Sequence, residues 1–117
     1  MPLLRVVVDV GVVHRELEFL DPVVKIGRSD PSQGVEPHID LSEDESVSRQ
    51  HAELCWTQSG LFIVDLESTN GTWIDGKRLI AGQHNRLKDG TRVALGRLSV
   101  LTVHFGGTAD AGSASSL

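Results

Sequence analysis

Leu4, Val6, Val8 and Val10 recur at every second position of "LLRVVVDV", with Arg5 and Asp9 between them. The same period returns along the chain. Val13, Arg15, Leu17 and Phe19 alternate with His14, Glu16 and Glu18. Ala52, Leu54 and Trp56 share one face, Phe62, Val64 and Leu66 another, and Leu101, Val103 and Phe105 a third. Successive side chains of an extended chain point to opposite sides, so a period of two marks half-buried strands. Helical spacing never runs for a dozen residues without a Gly, a Pro or a β-branched run. Turn dipeptides punctuate the pattern: Asp21-Pro22, Asp30-Pro31, Ser59-Gly60, Asn70-Gly71, Asp75-Gly76, Ala81-Gly82 and Asp89-Gly90. Many short strands with turns this frequent predict an all-β fold, an antiparallel β-sandwich of about eleven strands. The expected strands are 3–10, 13–19, 23–27, 38–41, 51–57, 61–66, 72–74, 77–79, 85–88, 91–95 and 99–105.

The chain of 117 residues is sized for one domain with one core. The alternation ends at Phe105, so residues 1–105 are expected to fold. Residues 106–117, "GGTADAGSASSL", are expected to be a flexible tail, because Gly, Ala and Ser bury too little apolar area to offset ordering. A net charge of -5 argues against a general affinity for nucleic acid or acidic membrane, which needs clustered cations. Few aromatic residues are present to stack bases (Trp56, Trp73 and three Phe). No apolar run reaches membrane length, and the first ten residues lack the order of a signal peptide. Cys55 is the single cysteine, which fits a reducing compartment; the expectation is a cytoplasmic protein with no membrane insertion.

Three polar loops exceed what turning requires: Arg28 to Pro37, Ser42 to Gln50 and Glu67 to Gly71. In a sandwich, loops gather at the two ends, so loops distant in sequence can build one surface. "SVSRQH" at 46–51 poses a choice. Ser48 and His51 could be a nucleophile and its base, with Asp65 or Asp44 orienting the imidazole. The glycines of a nucleophile elbow are missing around Ser48, and no catalytic residue is assigned. No metal or cofactor is expected either. The histidines are scattered, Glu43-Asp44-Glu45 lacks a calcium loop's alternating oxygens and reads as a solvated acidic run, and there is no GxxxxGK phosphate loop.

The other choice is an anion clamp. Gly27 permits close backbone approach at the end of "VVKIGR", and Arg28 then projects a planar fork suited to two phosphate oxygens. Ser48 and Thr69 add hydroxyls from two other loops, and main-chain N–H groups near Arg49 and Asn70 add donors. Singly, each has a plainer account: Arg28 paired to Asp30, Ser48 in a turn, Asn70-Gly71 as a turn.

Jointly, "GR" at 27–28, "SRQH" at 48–51, "STNGT" at 68–72, "DGKRL" at 75–79 and "DGTRVALG" at 89–96 stand in the order of one family. Over about residues 3–105 the chain resembles the forkhead-associated (FHA) domain. The resemblance implies an eleven-stranded sandwich that binds phosphothreonine peptides through loops at one end. By position, Arg28 and Ser48 would bind the phosphate, with Arg49 in support. Thr69 would donate to the phosphate or fix its loop, and Asn70 would hold the peptide backbone. Gly27, His51 and Gly71 would be architectural. The implied function is a non-catalytic phosphothreonine adaptor in Ser/Thr kinase signalling, its partner a Thr-phosphorylated protein such as a kinase or its substrate. The alternative is a phosphate-independent protein–protein module on the same sandwich. Two positions depart from the family. His38 stands where an acidic or amide residue is common. Ser46 stands where some relatives carry a basic residue, and Glu43, Asp44 and Glu45 precede it, which predicts weak selection for acidic residues downstream of the phosphothreonine and some for basic ones.

Overall fold

The computed structural model describes residues 2–105, so the expected tail at 106–117 lies outside the described residues. Eleven strands form: β1 (Leu4–Val10), β2 (Val13–Phe19), β3 (Val23–Gly27), β4 (Ile39–Asp40), β5 (Ala52–Thr57), β6 (Gly60–Asp65), β7 (Thr72–Ile74), β8 (Lys77–Arg78), β9 (Asn85–Arg86), β10 (Arg92–Leu95) and β11 (Ser99–Phe105). They coincide with the predicted segments within two residues at every end. Among the described residues the one helical element is a 3-10 turn, Pro31–Gln33, inside the first polar loop.

Two sheets face each other. One has the order β2-β1-β11-β10-β7-β8 and the other β4-β3-β5-β6-β9. Pairing is antiparallel except between β3 and β4, which run parallel with Ile26 opposite Ile39. The 3-10 turn and the loop around it let the chain return in the same direction, a connection that no hairpin provides. Strands at the sheet edges are short or charged. β4, β8 and β9 have two residues each, and β2 turns His14, Glu16 and Glu18 to solvent, which blunts edge-to-edge pairing.

The core lies between the sheets. Leu4, Val6, Val8 and Val10 from β1 meet Leu101 and Val103 from β11, Val24 and Ile26 from β3, and Ala52 and Leu54 from β5. Each large aliphatic here has 0–3% of its surface exposed, and burial of such a side chain contributes about 2 kcal/mol. Trp56 and Phe105 close the far end in an edge-to-face pair, ring centres 5.3 Å apart.

On β6 the core face is not the one that Phe62, Val64 and Leu66 define. Leu61 and Ile63 enter the core, at 1% and 0% exposure, while Leu66 is 36% exposed. Pairing decides it. Ile63 stands opposite Leu54 and Leu61 opposite Trp56, so they share the face of β5 that looks inward. Phe62 and Val64 stand opposite Cys55 and Glu53 on the outer face.

Register also fixes which loops share an end. Val10 pairs with Ser99 and Leu95 with Thr72, and the turn after β10 bonds to Asp44 and Ser46. The loops 28–38, 41–51 and 66–71 therefore gather with the 96–98 turn at one end. The hairpins 57–60, 75–76 and 88–91 lie at the other.

Candidate functional site

Gly27 ends β3 where the backbone of the second loop crosses it. A Cβ there would stand 1.9 Å from the Arg49 carbonyl oxygen and 2.9 Å from that of Ser48, so only glycine fits. The crossing is sewn by main-chain bonds. Arg28 N–H donates to the Ser48 carbonyl (3.2 Å) and His51 N–H to that of Ile26 (3.0 Å).

Arg28 follows directly. Its Nε–H donates to the Val47 carbonyl at 2.5 Å, which fixes the guanidinium by its inner edge. Among the described residues, neither terminal nitrogen of Arg28 has a hydrogen bond or an ion pair. The plainer pairing of Arg28 with Asp30 does not occur. Asp30 accepts instead from Arg49 (2.7 Å), so Arg49 reaches into the first loop as an exposed ion pair. The Ser32 hydroxyl, then Arg49, hold the Asp30 carboxyl below its ordinary pKa.

The neighbouring carboxylates are engaged in the same way. Glu43 accepts from Arg15 (2.5 Å). Asp40 accepts from the N–H groups of Ser29 and Ser42 and from the Ser42 hydroxyl. Asp44 is not part of a solvated acidic run: it is 1% exposed. Four donors surround it, namely Ser46 N–H (3.0 Å) and hydroxyl (2.5 Å), Leu98 N–H (3.0 Å) and the Ser99 hydroxyl (2.8 Å). Burial pushes its pKa up, but these donors outweigh burial and leave it below the ordinary value. A buried carboxylate thus holds the 42–50 loop to the start of β11.

Asp65 does the same for the third loop. It accepts from the Ser68 hydroxyl (2.5 Å), Ser68 N–H (3.2 Å) and the Thr72 hydroxyl (2.6 Å). The Ser68 oxygen in turn accepts from Gly71 N–H (3.1 Å). Glu67 takes the left-handed region at φ 59°, rare for a residue with a long side chain, so this loop's shape is imposed by its bonds. Gly71 sits at φ 91°, where a Cβ would meet Arg78 Nε at 2.7 Å and Trp73 Nε1 at 2.8 Å.

His51 joins the second and third loops. Its Nδ1 accepts from Ser48 N–H (3.0 Å), so the proton resides on Nε2, which donates to the Gly71 carbonyl (2.8 Å). The ring is fully buried, and burial lowers its pKa. Neither Asp44 nor Asp65 orients it, and neither nitrogen faces the Ser48 hydroxyl. Ser48 Oγ instead accepts from Thr69 N–H (3.0 Å), which leaves its own proton free to donate. The Ser48–His51 pair lacks the contact that general-base activation of a serine requires. Asn70 donates from Nδ2 to the Ser46 carbonyl (2.8 Å), a second tie between these loops.

Arg28, Ser48, Arg49 and Thr69 line one open cleft of about 500 Å³, joined by Gln33, Val35 and Gln50. Asn70 stands beside Ser46, outside that lining. Gly27, His51 and Gly71 lie behind it as spacing and bonding elements. The cleft is polar, with unengaged cationic and hydroxyl donors and no unpaired carboxylate in its wall. Such a surface suits an anion with several oxygens. Among the described residues, no group of three or more His, Cys, Asp or Glu stands where it could hold a metal ion.

Three residues at this end were missed by sequence reasoning. Arg78 donates to the carbonyls of Ser68 (3.4 Å) and Thr69 (3.3 Å) and lies over the Trp73 ring. The run "DGKRL" carried it only as a strand. Arg97, exposed on the turn after β10, donates its main-chain N–H to Ser46 Oγ (2.7 Å), which sets that turn beside the position where some relatives carry a basic residue. Asp44 was hidden by its acidic neighbours.

Comparison with known proteins agrees with this architecture. The protein FraH of the cyanobacterium Nostoc is 36% identical over 86 residues, which is 71% of this chain and 29% of that protein. The chain thus spans less than a third of that relative's length. The FHA domain of an Arabidopsis thaliana hypothetical protein superimposes with a TM-score of 0.77 at 24% identity, over 97% of this chain and 91% of that one. An FHA domain solved in a study of phosphothreonine-dependent FHA interactions gives a TM-score of 0.65 at 28% identity, over 86% of this chain and 95% of that one. The sequence profile of the FHA domain matches residues 24–96, from β3 to the end of β10, and the chain belongs to the FHA-domain family.

Proposed function

We propose that this domain binds phosphothreonine in a protein partner and serves as a non-catalytic cytoplasmic adaptor in Ser/Thr kinase signalling. One observation carries the reading. Arg28 is fixed through Nε to the Val47 carbonyl, while its two terminal nitrogens are unengaged beside the Ser48 hydroxyl. A phosphothreonine carries a charge of about -1.5 to -2 and three strong acceptors. Arg28 offers it two parallel donors, and the Ser48 and Thr69 hydroxyls add one each. Arg49 contributes a second cation when it leaves Asp30. Asn70, its Nδ2 held by Ser46, presents its side-chain carbonyl to a peptide N–H. The relative with phosphothreonine-dependent interactions supports the same ligand class. The partner is taken to be a Thr-phosphorylated kinase or kinase substrate.

Charge-assisted hydrogen bonds contribute about 1.5–3 kcal/mol each, so the loss of two abolishes measurable binding. Arg28→Ala is expected to lose more than about 100-fold in affinity for a phosphothreonine peptide library. Arg28→Lys, a point charge in place of a fork, is expected to lose about tenfold. Calorimetric titration checks both, with dephosphorylated peptides as the second arm. Unchanged affinity in the alanine variant would sink the assignment. Equal binding of dephosphorylated peptide would favour the phosphate-independent module.

A further inference from the structure

A second depression of about 430 Å³ opens from the phosphate cleft and shares Val35, Arg49 and Gln50 with it. It leaves the cleft on the side of those residues and includes neither Thr69 nor Asn70. It runs over the outer face of β3 and β5, under the 34–37 segment. Val35, Pro37 and Leu66 give it an apolar wall. Leu66 is 36% exposed, and its N–H bonds to the His51 carbonyl, so it is held in place by the clamp itself. The formal charges of the lining sum to zero: Lys25 and Glu53 are cross-strand partners, and Arg49, engaged by Asp30, and the exposed Glu36 carry the other two. An acidic side chain entering here would meet no net positive charge, a basic one only the exposed Glu36, and either would lose solvent. An uncharged aliphatic one would cover Leu66 and Val35.

Resting on the phosphothreonine reading, we propose that this groove is a further subsite for the same ligand. It takes an uncharged aliphatic side chain from the peptide flank that leaves the phosphothreonine away from Asn70. Continuity commits the groove to that occupant. An extended peptide held at Arg28 must leave the cleft on two sides. One side carries Asn70 and Ser46, and the other runs over Arg49 and Gln50 into the groove. The aliphatic stem of Arg49, which lines both depressions, forms the sill between them.

The test uses two phosphopeptide series. The short series has phosphothreonine with one alanine on each side. The long series extends both flanks with alanine and walks a single leucine along them. In the wild type, leucine at one position on one flank is expected to raise affinity about fivefold over alanine. Leu66→Glu is expected to remove that gain and, at an ionic strength that screens the added charge, to leave the short peptide unaffected. Because Leu66 contributes only its main chain to the fold's bonding, the variant retains the clamp. Lysine at the favoured position should then gain in Leu66→Glu over wild type, which a merely structural effect would not produce. A flat leucine walk with the short peptide bound, or a leucine preference that survives in Leu66→Glu, would overturn the subsite alone. Failure of wild type to bind the short phosphorylated peptide would overturn the phosphothreonine reading, and the subsite with it.

Discussion

The two ends of the sandwich are built on different principles. At the far end, Gly76 and Gly90 sit in tight turns where an added Cβ would touch nothing within 4 Å. At the clamp end, a Cβ on Gly27, Gly71 or Gly96 would meet another residue below 3 Å. The buried polar residues divide in the same way. Asp44, His51, Asp65, Ser68, Thr72 and Ser99 all bond within the clamp-end loops or anchor them. A far-end turn reverses the chain and stops there. The second and third clamp-end loops are folded around buried Asp44, His51 and Asp65, with backbone donors aimed inward, whereas the first, with Gly34 in open space, closes on the partly exposed Asp30. The clamp is therefore ordered before any ligand arrives, and binding need not supply the cost of shaping it.

If that contrast is right, changes at the two ends should differ most where the buried hubs lie. Asp44→Ala strips the acceptor from four donors, two of them main-chain N–H groups. The expected loss is about 3 kcal/mol, a fall in Tm of roughly 15 °C in a domain this size. Thermal unfolding by circular dichroism checks it, and a fall under a few degrees would show that water replaces the carboxylate. Gly27→Ala drives a methyl into the Arg49 carbonyl and is expected to cost about 3 kcal/mol. Gly76→Ala, at φ 77° in open space, should cost about 1 kcal/mol from backbone strain alone. Equal losses at Gly27 and Gly76 would erase the distinction.

How much of this the sequence carried follows from how local each signal is. Strands and turns were legible because alternation and turn dipeptides are written within a few residues. Arg28 was legible because Gly27 precedes it at a strand end. The core face of β6 was not, since "LFIV" at 61–64 is apolar in both phases and only pairing to β5 selects one. Asp44 was illegible for another reason. Its partners Leu98 and Ser99 lie 54 and 55 residues away, and nothing near Asp44 separates it from exposed Glu43 and Glu45. Arg49 and Asp30 paired, and Arg28 and Asp30 did not, because the crossing at Gly27 sets Arg28 toward Val47.

His51 offers a pH test of the same comparison. Its pKa is lowered from the ordinary 6.5, chiefly by burial, so the unfolded chain binds the proton more readily than the folded one. Stability is then full above pH 6.5 and falls as pH drops below it toward the folded value. A second fall begins below about 4.5, first from Glu43 and then from Asp30, Asp40 and Asp44, all with lowered pKa, as they take up protons. Urea unfolding across this range should show the first fall in the wild type. It should be missing in His51→Asn, which is less stable at neutral pH. A flat wild-type profile through the first window would mean that the folded chain protonates the imidazole as readily as the unfolded one, and that the bond from Ser48 lost on protonation contributes little.

The smallest effect on stability is expected at the one clamp contact that resembles the far end, the exposed Arg49–Asp30 pair. An exposed ion pair of this kind adds little to stability, so Asp30→Asn should leave Tm within error. Its effect on binding should be visible. The substitution removes a negative charge from beside the proposed phosphate cleft and would release Arg49 to a ligand there. Affinity for a phosphothreonine peptide is expected to rise about threefold at low salt, and the gain should shrink as ionic strength increases. A fall in affinity would reverse the account. It would mean that Asp30 contributes more by holding Arg49 at the cleft than it costs by facing the phosphate, and the exposed pair would then belong with the preformed hubs.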